Sequence, residues 1–71
     1  MDIAFHLKNH RKLNNLSQKE VANATGISQQ ALSTWENNTK IPTIDKCAIL
    51  ADFYGISLDE LVGHEIKKNW E

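Results

Sequence analysis

The sequence holds one cysteine, one proline and one tyrosine in 71 residues, and three glycines. A lone Cys47 excludes an intrachain disulfide and any cysteine-built zinc cluster, and fits a reducing, cytoplasmic setting. No segment alternates apolar and polar residues, so strands are not expected. No apolar run approaches the length that spans a bilayer, and none follows a basic N-terminal stretch as in a signal peptide. A membrane partner is therefore not expected. His6, His10 and His64 lack metal-ligand spacing, and there is no nucleophile–base pair or carboxylate pair. These absences argue against an enzyme, a metal site or a cofactor. A chain of this length makes one domain that buries only about 60% of its unfolded surface, so its core must be thin.

Charge is scarce in net terms: eight basic residues face nine acidic ones, for −1 overall. The distribution is uneven. Residues 1–40 carry Lys8, Arg11, Lys12, Lys19 and Lys40 against three acids, for +2, and residues 41–71 carry −3. The first half can face phosphate and the second half face away, although ordinary solvated charge explains the same numbers.

What the chain does have is legible punctuation. Ser17-Gln18-Lys19-Glu20 and Ser57-Leu58-Asp59-Glu60 are capping boxes, in which the serine hydroxyl and the glutamate exchange hydrogen bonds with each other's amides. Gly26 and Gly55 stand where a helix ends in a left-handed residue. Pro42 ends a segment and Thr43 can cap the next. Five helices follow: about Ile3 to Asn14, Gln18 to Thr25, Gln29 to Asn37, Ile44 to Tyr54 and Leu58 to Val62. The fourth has an apolar face at Ile44, Cys47, Ala48, Ala51 and Tyr54, which makes Cys47 a small core residue.

The informative stretch runs from Gln18 to Glu36, two short helices joined by a tight turn through Gly26. With Gln18 as position one, small Ala22 at position five allows close helix approach, and Gly26 at position nine supplies the turn. Apolar residues are needed at positions four, eight, ten, fifteen and eighteen. Val21, Ile27, Leu32 and Trp35 fit, and Thr25 is the exception. With that face buried, Gln29, Gln30, Ser33 and Thr34 are left outside as neutral hydrogen-bonding groups. Glutamine can pair bidentately with adenine, and the threonine methyl can touch that of thymine. Solubilising surface is the plainer explanation of such residues taken alone.

From about Leu7 to Gly63 the chain resembles the Xre/Cro-type helix-turn-helix repressors. The resemblance is carried by Arg11, Leu16-Ser17-Gln18, Val21-Ala22, Gly26-Ile27-Ser28, Leu32, Trp35-Glu36-Asn37, Pro42, Leu50-Ala51, Gly55-Ile56-Ser57 and Leu58-Asp59-Glu60-Leu61. It implies an all-α, five-helix, phage-repressor-like fold over residues 1–63, with 64–71 as a short C-terminal tail. It also implies a regulator that binds double-stranded DNA, with Gln29, Gln30, Ser33 and Thr34 at base edges. Gln18, Ser28, Asn37, Asn38 and Lys40 would hold phosphates, and Arg11 and Glu36 would form a structural ion pair. Asn38 stands where the family usually has glycine, a turn that asparagine tolerates. His10 stands where the family has an apolar residue and is read as a packed side chain.

Ile49 and Phe53 lie one turn apart off the core face of the fourth helix, and Ile66 and Trp70 repeat that spacing in the tail. They suit either a homodimer interface or a tail folded back within one chain. The acidic second half and this surplus apolar surface keep a second partner open, another regulatory protein bound in the manner of an antitoxin or antirepressor.

Overall fold

The computed structural model describes residues 3–62, which form five helices and, among those residues, no strand. They are α1 (Ile3–Leu13), α2 (Gln18–Thr25), α3 (Gln29–Glu36), α4 (Ile44–Tyr54) and α5 (Leu58–Val62). Expectations for the tail, including its boundary at residue 63 and the apolar pair Ile66 and Trp70, lie outside the described residues. No helix among the described residues is long and apolar enough to cross a membrane.

The helix ends show why the chain breaks where it does. At α2 the capping box is complete: Ser17 Oγ accepts from the Glu20 amide at 3.1 Å, and the Ser17 amide donates to Glu20 Oε1 at 2.9 Å. The amide bond, then the hydroxyl, holds the Glu20 carboxyl below its ordinary pKa. At α5 the Ser57 hydroxyl accepts from the Glu60 amide at 3.0 Å, which is half of such a box. Gly26 ends α2 at φ 78°, its amide donating to Ala22 O at 2.9 Å.

Three other helices end in the paired bonds of a Schellman motif around one left-handed residue. That residue is Gly55 for α4 (φ 69°), Asn38 for α3 (φ 60°) and Asn15 for α1 (φ 57°). In α3, Thr39 and Asn38 donate to Thr34 O and Trp35 O at 3.0 and 3.1 Å. In α1, Leu16 and Asn15 donate to Arg11 O and Lys12 O at 3.1 and 3.0 Å. Asn38 was anticipated in this role, and Asn15 was not.

The start of α4 corrects one expectation. Thr43 has the extended backbone of an N-cap, but its side chain makes no cap hydrogen bond. Its side chain acts on Asp45 instead, holding that carboxyl below its ordinary pKa.

Ten residues from all five helices and the α2–α3 turn form the core: Ile3, Leu7, Val21, Ile27, Leu32, Trp35, Cys47, Leu50, Ala51 and Leu61. Each fully buried aliphatic side chain contributes about 1.5–3 kcal/mol. Helix α1 packs on α3 and α5, α2 on α3 and α4, and α4 on α5. The buried stripe of α4 corrects a second expectation. It runs through Cys47, Leu50, Ala51 and half-buried Tyr54, while Ile44 and Ala48 are exposed. The helix is turned toward Leu50 because its core face must meet both α2 and α5. Cys47 is buried as expected, and burial raises its thiol pKa.

Candidate nucleic-acid interface

The pairing of α2 with α3 decides what faces outward. Val21, Ile27, Leu32 and Trp35 are at most 9% exposed and pin the two helices to the core. Thr25, the polar intruder at an apolar position, is half-buried with its hydroxyl satisfied. That hydroxyl donates to Val21 O at 2.8 Å and accepts from the Ile27 amide at 3.2 Å. The tight turn is therefore stitched by a side chain as well as by Gly26.

The remaining face of α3 is left bare. Gln29 and Gln30 are exposed at its first turn, and Ser33 and Thr34 follow half-buried one turn on. Together with Gln18, Asn37 and Thr39 they line one open depression. A second depression adjoins it, where Ser28, Ala31, Trp35 and Lys40 join Gln30, Thr34 and Thr39. The sequence-derived residues thus converge on one surface. Asn38 sits in the same loop between Asn37 and Lys40. Thr39 borders both depressions and was missed, although its place in that loop was a signal.

Several of these residues also have structural duties. Ser28 caps α3, its hydroxyl accepting from the Ala31 amide at 3.1 Å. Asn37 Nδ2 donates to Ser33 Oγ at 3.4 Å, and Thr34 Oγ1 donates to Gln30 O at 2.9 Å.

Beneath the surface, Arg11 clamps Glu36. Nε donates to Oε2 and Nη2 to Oε1, both at 2.8 Å, and Nη1 donates to Leu16 O at 2.9 Å. The two side chains are 13% and 5% exposed. The hydrogen bonds to Glu36, with its charge, raise the Arg11 pKa against the cost of burial. Gln18 Nε2 also donates to Glu36 Oε1, at 3.2 Å. Glu36 therefore carries no free charge into the surface, and the outward face from Gln29 to Thr34 is neutral. Lys40 is the cation that borders it.

His10 is half-buried, its ring 6.0 Å from that of Tyr54. Ile49 and Phe53 are 39% and 38% exposed, clear of the core face as expected. Among the described residues no group of three or more His, Cys, Asp or Glu is placed to hold a metal ion.

Comparisons with known proteins agree with this geometry. A family model described as helix-turn-helix matches residues 7–61. The chain is 36% identical over 63 residues to the cryptic phage CTXphi transcriptional repressor RstR of Vibrio cholerae serotype O1, covering 89% of this chain and 56% of RstR. It is 33% identical over 57 residues to the HTH-type transcriptional regulator YobD of Bacillus subtilis, covering 80% of this chain and 51% of YobD. It is also 32% identical over 63 residues to the antitoxin PezA of Streptococcus pneumoniae serotype 4, covering 89% of this chain and 40% of PezA. The chain spans about half the length of the curated relatives it matches. No solved structure matches it significantly.

Proposed function

Because the chain belongs to the Xre/Cro-type helix-turn-helix family, we propose that it binds double-stranded DNA sequence-specifically and represses transcription, with α3 in the major groove. The observation that carries this reading is the neutral, open surface of Gln29, Gln30, Ser33 and Thr34, held rigid by the buried face behind it. In a helix-turn-helix the second helix presents its N-terminal residues to base edges. Two adjacent glutamines there suit adenine N6 and N7.

Gln18, Ser28, Asn37, Asn38 and Lys40 rim that surface and hold phosphates. Such contacts set register but carry little sequence information. Gln18 keeps one amide proton for this after serving Glu36. With Lys40 as the bordering cation, affinity for a single copy is modest.

Homodimerisation through Ile49 and Phe53 then places two recognition helices about 34 Å apart, on half-sites one DNA turn apart. RstR is named a transcriptional repressor, which favours repression here.

A second reading has one observation in its favour, the similarity to a protein named antitoxin PezA. In it the domain keeps the fold but acts by binding another regulator, through the exposed apolar residues of α4. The variant Gln29→Ala with Gln30→Ala separates the two: loss of regulation with a partner complex intact supports DNA readout.

Selection from a random duplex pool at fixed salt tests the main proposal. Enrichment of a two-fold symmetric site is expected, and a pool with no enriched sequence contradicts it. Salt must be fixed because phosphate contacts release counterions and make affinity steeply salt-dependent.

A further inference from the structure

The hydroxyl of Thr34 is already committed. Oγ1 lies 2.9 Å from the carbonyl oxygen of Gln30, four residues earlier in the same helix. A carbonyl has no proton to give, so the hydroxyl is the donor, and it has only one proton. The same residue's own carbonyl accepts from the Thr39 amide at 3.0 Å, which fixes the backbone at this point. What Thr34 still offers to a ligand is a methyl group and an oxygen lone pair. It nevertheless borders both depressions on the recognition face, a central position for base contact.

Its neighbour is biased the other way. Ser33 Oγ accepts from Asn37 Nδ2, which leaves the serine proton free to donate outward. Two adjacent hydroxyl residues thus present opposite halves of their chemistry to the same groove.

We propose that Thr34 is a specificity-determining residue that reads the 5-methyl group of a thymine, and that its hydroxyl serves the helix rather than the DNA. This rests on the reading of α3 as the recognition helix and adds what one of its side chains selects. Thymine is the natural base with a methyl group in the major groove, where that group is open to apolar contact.

The experiment begins with the duplex enriched by the wild-type protein from a random pool. Each thymine is replaced in turn by deoxyuridine, which removes only the methyl. Binding is then measured for the wild type, Thr34→Val and Thr34→Ser. Valine keeps the shape and both branches without the hydroxyl; serine keeps the hydroxyl without the methyl. At one position uracil weakens binding by the wild type and by Thr34→Val about fourfold, the transfer free energy of one buried carbon group. At that position Thr34→Ser binds thymine and uracil alike.

Tolerance of uracil everywhere overturns the proposal, as does a site without A·T pairs. Discrimination that survives in Thr34→Ser but disappears in Thr34→Val overturns it as well, because the hydroxyl would then be the reader. In each of these cases the enriched site still stands, so α3 as recognition helix survives. A pool without any enriched sequence overturns both. Thermal unfolding of each variant separates lost contact from lost fold.

Discussion

Arg11 and Glu36, twenty-five residues apart, meet through two parallel hydrogen bonds of 2.8 Å beneath the recognition face. The pair joins the last turn of α1 to the last residue of α3. Through Leu16 O and Gln18 Nε2 it also holds the entry to α2. Three helices that must keep their relative positions for α3 to sit in a groove, α1, α2 and α3, are tied at one carboxylate.

A nearly buried pair contributes little net stability against an apolar pair of the same shape, yet removing one partner strands the other. Glu36→Ala is therefore expected to lower unfolding free energy by about 3 kcal/mol, and Arg11→Ala by a similar amount. A double-mutant cycle in urea checks it. The double variant should cost much less than the sum of the singles, and additivity would contradict the coupling.

The left-handed helix ends predict changes of opposite sign. A Cβ at Gly26 would meet no atom within 4 Å, so Gly26→Ala suffers only the backbone penalty at φ 78°, about 1–2 kcal/mol. Asn15 and Asn38 already bear that penalty in part. Asn15→Gly and Asn38→Gly should each raise stability by a few tenths of a kcal/mol up to about 1 kcal/mol, offset by the greater freedom of glycine in the unfolded chain. Thermal melts of the three variants give the order.

Much of this fold is legible in the sequence because its signals are local. Ser17 and Glu20 act on each other within one turn, and Gly26 and Gly55 mark positions that few other residues accept. The spacing of Val21, Ile27, Leu32 and Trp35 identifies the buried face of the α2–α3 pair, and with it the bare face. The departures lie where a choice depends on distant neighbours. Thr43 takes the extended backbone of an N-cap without lending its hydroxyl to the helix. Ile44 and Ala48 fit a helical stripe as well as Leu50 does, and only the packing of α2 and α5 on α4 selects Leu50. The bond from Gln18 to Glu36 spans eighteen residues and has no local mark.

Tyr54 makes stability depend on alkaline pH. Burial, then the charge of Glu36, pushes its phenol up to about 12, with Arg11 acting in the opposite sense. The unfolded chain loses this proton near the ordinary value of 10, while the folded chain keeps it. Between pH 10 and about 12 the folded state therefore binds more protons, and stability falls as pH rises. Tyr54 is the single tyrosine, so tyrosinate absorbance reports on it alone. Tyr54→Phe should lose less stability over that window, and an equal loss would contradict the assignment.

Binding of the wild type and of the variant carrying Gln29→Ala and Gln30→Ala, to the selected duplex and to a scrambled duplex at several salt concentrations, tests the recognition-helix account most directly. The account predicts that the wild type prefers the selected duplex by at least about tenfold, the cost of a single mismatched pair. It also predicts that the variant loses most of this preference, keeping only the part read by Ser33 and Thr34, with the salt dependence nearly unchanged because the phosphate contacts remain. A variant that still discriminates as the wild type does would contradict it.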